Sequence, residues 1–314
     1  MSEFIVVFII LLAFEIAYIQ AAKKLHIVDR PHHQSSHVGA VIRGGGIVFY
    51  IAYALWSVMH GMKWGSGLVG ITLLAGVSFI DDVRSISPKV RLICQFIAIA
   101  FVLERSGLLH QTPHVIIILV IACVGAVNIY NFMDGINGIT GGYSLVVSCA
   151  LLYVNAYMVH FAPSSLIVYI ILSLIVFNVF NFRQKAKCFA GDVGSLAIGF
   201  IIVLFVLNLA LRGQSMSWIS MLVVYGVDGG MTILHRILLR ENLMKPHKKH
   251  AYQIMANELR MPHLIVSGIY MGLQAICCVW YIAYPGYWSF FLQVGILSVI
   301  YLLFMKKYYH LHVK

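Results

Sequence analysis

Eleven apolar runs, most of them close to the length of a bilayer crossing, leave this chain few ways to fold. They fall at 4–22, 46–60, 64–80, 90–104, 115–132, 143–160, 165–181, 196–211, 217–235, 264–283 and 287–305. A helix needs about 20 apolar residues to cross the hydrocarbon core. Backbone groups in hydrocarbon must be paired within their own segment, so helices are the expected form. A membrane barrel would alternate apolar and polar residues with period two, and these runs do not. Composition agrees. Of the 314 residues 61% are hydrophobic and 11% charged, against about 45–50% and about 25% in soluble domains. The expectation is an all-α polytopic membrane protein of about 11 transmembrane helices, forming a single transmembrane domain over 1–314. The first run follows Glu3 rather than a basic segment and ends in Lys23-Lys24 rather than a small-residue cleavage site, so it is expected to stay as the first span.

Charge orients the spans. With the N-terminus outside, 19 of the 22 Lys and Arg residues fall on the inner side, and only Lys63, Arg105 and Arg212 fall outside. The positive-inside rule therefore predicts an outer N-terminus and a cytoplasmic C-terminus in a cytoplasmic (inner) membrane. The net charge of +11 belongs to loops beside membrane lipid, and with no soluble domain to present a basic face nucleic acid is not an expected partner. Asp29, Asp81, Asp82, Asp134, Asp192, Asp228, Glu241 and Glu258 fall on the inner side too, while Glu15 lies within the first span. Orientation does not call for acids on that side, so they point to a site on the cytoplasmic face. Six cysteines without a Cys-x-x-Cys pair read as small core hydrophobes rather than disulfides or a zinc site.

Five segments carry the chemistry. Asp81 and Asp82 are adjacent carboxylates at a helix end, which repel unless a cation or proton stands between them; Lys89 and Arg91 follow. A hard divalent cation suits such oxygens. Asn128, Asn131 and Asp134 recur at i, i+3 and i+6 and so share a slowly drifting helix face, with Gly135 and Gly138 placed to end the helix. Lys187 and Phe189 lead into Gly191-Asp192-Val193-Gly194-Ser195, a turn that opens a helix, where anions are favoured. Each of these three could also be a capping arrangement. Arg236 to Gln253 is a loop carrying His247 and His250 among basic residues, suited to a diphosphate or to anionic lipid. Arg43-Gly44-Gly45-Gly46 permits close approach of a phosphate or of another helix.

In this order and spacing, from Asp29-x-Pro31 and Arg43-Gly44-Gly45-Gly46 to His250-Ala251-Tyr252-Gln253, the segments resemble the polyprenyl-phosphate N-acetylhexosamine-1-phosphate transferase family over nearly the whole chain. The resemblance implies an Mg²⁺-dependent phosphotransferase, with Mn²⁺ as an admissible substitute. It would transfer N-acetylhexosamine-1-phosphate from a UDP-sugar to undecaprenyl or another polyprenyl phosphate, release UMP, and so start a cell-surface polysaccharide such as O-antigen, capsule or a cell-wall polymer. It implies catalytic roles for Asp81 and Asp82 and a metal set of Asp192, Asn131 and Asp134. Substrate contacts would come from Lys89, Asn128, Asn137, Lys187, Phe189 (stacked on uracil), Arg236, His247 and His250. Asn137 replaces an acid that many members carry, and the His-Lys-Lys-His loop departs from the usual histidine run. These departures point away from a MurNAc-pentapeptide substrate and toward a simpler UDP-N-acetylhexosamine. A homodimer is compatible with the sequence. The rival classes are a secondary transporter, which would place acids at mid-span, and a non-catalytic polyprenyl-lipid-binding protein.

Overall fold

The computed structural model describes residues 2–29, 40–242, 248–308 and 310; Pro31, His37 and His247 lie outside them. Eleven helices of 13 residues or more stand where the eleven apolar runs were read. They are α1 (Ser2–Lys24), α2 (Ile47–Met59), α3 (Gly65–Val83), α4 (Pro88–Arg105), α5 (Pro113–Met133), α6 (Ile139–Tyr157), α7 (Ser164–Asn181), α8 (Gly191–Arg212), α9 (Val223–Leu238), α11 (His263–Ala283) and α12 (Tyr287–Tyr308), with α10 (Ala251–Gln253) a single turn. Nine helical segments among the described residues are long and apolar enough to cross a membrane. Helix α2 is too short for that, and α4 falls short because Lys89, Arg91, Glu104 and Arg105 crowd its two ends.

Helix α8 is the axis of the bundle. It is apolar all round, and nearly every residue from Val193 to Ala210 is buried, as expected of a helix enclosed by others. Helices α2, α3, α5 and α6 pack around it. The outermost helices turn apolar side chains outward, such as Ile117, Ile118 and Ile121 on α5, a surface that needs lipid. The described cysteines are all free thiols, four of them buried, in keeping with small core residues.

One end of the bundle is tightened by backbone. Strands β1 (Val28–Asp29) and β2 (Val41–Ile42) pair antiparallel, and Ile42 forms a parallel bridge to Cys188 just before α8. Gly45 N–H donates to the Phe189 carbonyl at 2.9 Å and Gly46 N–H to Ala190 at 3.1 Å. A Cβ on Gly46 would lie 2.4 Å from the Gly194 Cα, and one on Gly194 would lie 2.5 Å from the Gly46 Cα. Two of the glycine segments of the sequence therefore exist for each other: they let α2 and α8 start in backbone contact.

Candidate active site

The same end gathers the acids. Helix α3 ends at Asp81-Asp82-Val83, α4 begins beside it, and α8 begins opposite, so three helix termini converge. Arg91 Nη1 donates to Asp81 Oδ2 at 2.7 Å and to Asp192 Oδ2 at 2.8 Å. Arg43 Nε donates to Asp82 Oδ1 at 2.7 Å, and its Nη2 to Asp192 Oδ1 at 3.3 Å. Asn131 Nδ2 donates to Asp192 Oδ1 at 3.3 Å and to Ser195 Oγ at 2.9 Å. Each of the adjacent acids is thus joined to Asp192 through its own guanidinium, Asp81 through Arg91 and Asp82 through Arg43, and these two arginines, not among the expected site residues, tie the cluster together.

Asp82 caps α8. Its oxygens accept the Asp192 N–H at 3.0 Å and the Val193 N–H at 3.1 Å, and its side chain has no exposed surface. The first-turn N–H groups of a helix lack intrahelical partners, and a carboxylate there also meets the positive end of the helix dipole. The alternative of a local cap by Asp192 is thereby set aside: the aspartate that covers these N–H groups is borrowed from α3, which leaves the Asp192 side chain to face the arginines. Gly191, at φ +70°, has no room for a Cβ, which would lie 2.5 Å from Asp82 Oδ2. Asp81 is anchored by the Ile86 N–H at 2.6 Å and Arg91; about 10% of its side chain is exposed, against 18% of that of Asp192. Asp134 follows the last residue of α5, where burial, reinforced by the nearby Asp192 charge, pushes its carboxyl up to about 7.

Other expected residues take distinct places. Asn128 exchanges hydrogen bonds with Gln95 of α4, at 2.7 and 3.3 Å. Lys89 on the first turn of α4 and Lys187 just before α8 are exposed. Phe189 is half-buried, its backbone joined to Ile42 and Gly45. Asn137 is buried and donates to the carbonyls of Arg183 at 2.9 Å and Gln184 at 3.1 Å, so its amide braces the loop before α8. Arg236 is 3% exposed and holds Glu241 at 3.2 Å and the Asn242 carbonyl at 2.6 Å. His250 is buried against Asp228.

Three further features surfaced only in three dimensions. Gln95 completes the Asn128 pair. Glu15, read as an isolated acid in the first span, is buried and accepts from Cys188 Sγ at 3.4 Å, behind the loop that leads into α8. Tyr18 donates to the Arg43 carbonyl at 2.8 Å. In the sequence each is a lone polar residue in an apolar run, which marks a buried contact without naming its partner.

An apolar helical bundle with carboxylates and guanidiniums concentrated at one end defines a polytopic membrane protein with a charged site at one face. Residues 64–210 match the model of Glycosyl transferase family 4, a stretch that holds Asp81, Asp82, the Asn128–Asp134 segment and Asp192. A Bacillus subtilis (strain 168) protein named as a probable undecaprenyl-phosphate N-acetylglucosaminyl 1-phosphate transferase is 27% identical over 285 residues, covering 81% of this chain and 78% of its own. The undecaprenyl-phosphate alpha-N-acetylglucosaminyl 1-phosphate transferase of Yersinia pestis is 26% identical over 226 residues, covering 66% and 62%. The decaprenyl-phosphate N-acetylglucosaminephosphotransferase of Mycobacterium leprae is 26% identical over 217 residues, covering 58% and 54%. The chain is thus similar, over most of its length, to polyprenyl-phosphate N-acetylhexosamine-1-phosphate transferases.

Proposed function

We propose that the protein transfers N-acetylhexosamine-1-phosphate from a UDP-sugar, UDP-N-acetylglucosamine by the names of its relatives, to undecaprenyl or another polyprenyl phosphate, with release of UMP. The observation that carries this reading is the convergence of Asp81, Asp82 and Asp192 with Arg43 and Arg91 at the ends of three apolar helices. Both reactants are phosphate anions, so catalysis asks chiefly for positioning and charge neutralisation. Arg43 and Arg91, with the exposed Lys89 and Lys187, supply positive charge. Asp81, the more accessible of the adjacent pair, takes the proton of the lipid phosphate or positions it, while Asp82 holds the first turn of α8 and thus Asp192. Phe189 stacks on the uracil.

The donor chemistry fits a hard cation. Asp81, Asp82 and Asp192 set three carboxylates against the two arginines, Asp134 lies nearby, and Asn131 adds an amide oxygen; oxygen donors of this kind favour Mg²⁺ or Mn²⁺. Among the described residues no three of His, Cys, Asp and Glu form a preassembled metal cage, so the carboxylates would have to turn from the guanidiniums onto the ion. Asp192, Asn131 and Asp134 would hold it, and its charge would offset that of the diphosphate.

For the lipid acceptor the reading draws support from a groove on the helix that carries Asn131. A groove of about 510 Å³ runs between α5, α9 and α12, lined by Gly125, Ile129, Gly226, Gly230, Phe290 and Val294. No heavy atom lies within 4 Å of where a Cβ would stand on Gly125, Gly226 or Gly230, so three missing side chains keep it open. Ile129 and Tyr130 wall the groove while Asn128 and Asn131, on the same helix, face α4 and α8. Gly226→Leu should put an isobutyl group into the groove without harming the helix, since Leu is better than Gly there by nearly 1 kcal/mol. The KM for polyprenyl phosphate is expected to rise about tenfold, roughly 1.4 kcal/mol of binding, with kcat little changed. An unaltered KM in steady-state kinetics would place the isoprenoid elsewhere.

We place the site on the cytoplasmic face of the inner membrane, by the bias of 19 of 22 basic residues to that side. One experiment tests function, side and metal together. Inside-out vesicles given undecaprenyl phosphate and external UDP-N-acetylhexosamine are expected to release UMP, sealed right-side-out vesicles to release none until permeabilised, and excess chelator to abolish release until Mg²⁺ is restored. Full activity in chelator would remove the metal from the mechanism. Absence of UMP with every UDP-sugar tried would remove the transfer reaction.

A further inference from the structure

Away from the arginine cluster a second carboxylate is buried with a full set of donors. Asp228, on α9, is 4% exposed. Its Oδ1 accepts from His250 Nδ1 at 3.3 Å, the Ala251 N–H at 3.2 Å and Thr232 Oγ1 at 3.2 Å, and its Oδ2 from Tyr270 OH at 2.5 Å. Thr232 Oγ1 also lies 2.9 Å from Tyr301 OH. One carboxylate therefore joins α9, α11, α12 and the turn at 250–253. A carboxylate can only accept, so the facing ring nitrogen, Nδ1, is the one that carries a proton. A buried charge is tolerated when it is hydrogen-bonded and paired, and the imidazole is the one hydrogen-bond partner of this carboxylate, among the described residues, that can carry a positive charge.

That turn rests on the end of α5. The His250 and Phe132 ring centroids are 6.4 Å apart, and Tyr252 OH donates to the Phe132 carbonyl at 2.8 Å. A Cβ on Gly135 would lie 2.2 Å from Tyr252 OH, so the glycine after Asp134 leaves room for the tyrosine. His250, Tyr252 and the Phe132–Gly135 segment form one packed unit, with Asp134 inside it.

We propose that Asp228 is a positioning residue for the transfer reaction. It selects the ring tautomer of His250 and fixes the 250–253 turn against Phe132–Gly135, so that the histidine loop and the Asn128–Asp134 segment act on the substrate as one surface. The inference rests on the transferase reading above. Carboxylates that orient a metal-bound histidine cost about 10–100-fold when removed, and the same scale is expected for this one.

Asp228→Asn keeps the size of the side chain but removes the negative charge that holds the His250 ring and the 250–253 turn. It and His250→Gln are each expected to lower UMP release about 10–100-fold. The double variant is expected to match His250→Gln within about twofold, since residues acting through one another do not add. Tyr270→Phe removes one donor and leaves the ring's bond in place; it is expected to melt earlier yet keep turnover within about twofold of wild type. The inference is overturned if Asp228→Asn turns over normally, if the two single losses multiply, or if Tyr270→Phe loses as much as His250→Gln, which would make the network a plain scaffold. If Asp228→Asn does not stay monodisperse, the Tyr270→Phe comparison decides alone. Wild-type protein runs beside them: no UMP from it counts against the transferase reading itself, whereas a normal wild-type rate with a normal Asp228→Asn rate counts against Asp228 only.

Discussion

Asp192→Asn is expected to remain folded and to lose turnover by about 10²–10⁴-fold, the usual cost of removing a charged group that acts in the transition state. The carboxylate takes Arg91 on one oxygen and Arg43 and Asn131 on the other, with 18% of its side chain exposed. An amide keeps the shape and one acceptor, but it turns an N–H₂ toward a donor and removes the charge that a cation would require. The start of α8 should survive, because the Asp192 backbone N–H is held by Asp82 whatever stands at the side chain. The check is UMP release beside a melting curve in detergent. A folded variant with near wild-type turnover would show that neither a metal nor the arginines need this carboxylate.

Asp82→Asn is expected to fail differently, losing stability and turnover together. Its side chain is wholly enclosed and accepts two N–H groups of α8 and the Arg43 guanidinium. An asparagine offers one acceptor oxygen and so leaves at least one of these donors facing its N–H₂. Breaking one side of a buried pair costs about 3–5 kcal/mol, and the partial exposure of Arg43, 33% of its side chain, argues for the lower end, about 3 kcal/mol. Turnover falls as well, since Asp192 sits on the turn that loses its cap. A thermal melt separates the two variants: Asp82→Asn should melt well below wild type and Asp192→Asn close to it. Equal melting of Asp82→Asn and wild type would refute the capping role.

The difference between these two aspartates shows where reading the chain stops. Their motifs were legible, and so was their gathering at one end of the bundle, because apolar runs of spanning length must alternate in direction. Alternating helices deliver Asp81, Asn131 and Asp192 to the same end whatever their packing. Roles within that end were not legible. Asp82 and Asp192 look equivalent as motif acids, yet one caps a helix from 110 residues away and the other faces the arginines. The Asn137 amide, expected from the resemblance to meet substrate, also braces a loop; Asp228, in the sequence only one of several inner-side acids, holds His250.

What the sequence determined by itself is therefore the solvent, the helices, their order and the motifs that mark the family, each a property of local composition and period. Only the tertiary structure decided that Arg43 and Arg91 share Asp192, that α2 meets α8 through Gly46 and Gly194, and that Asp228 receives His250. These contacts join residues far apart along the chain, on helices whose rotation and depth are set by packing against all their neighbours at once. A carboxylate's donors depend on angles and distances of a few ångström that no local pattern encodes.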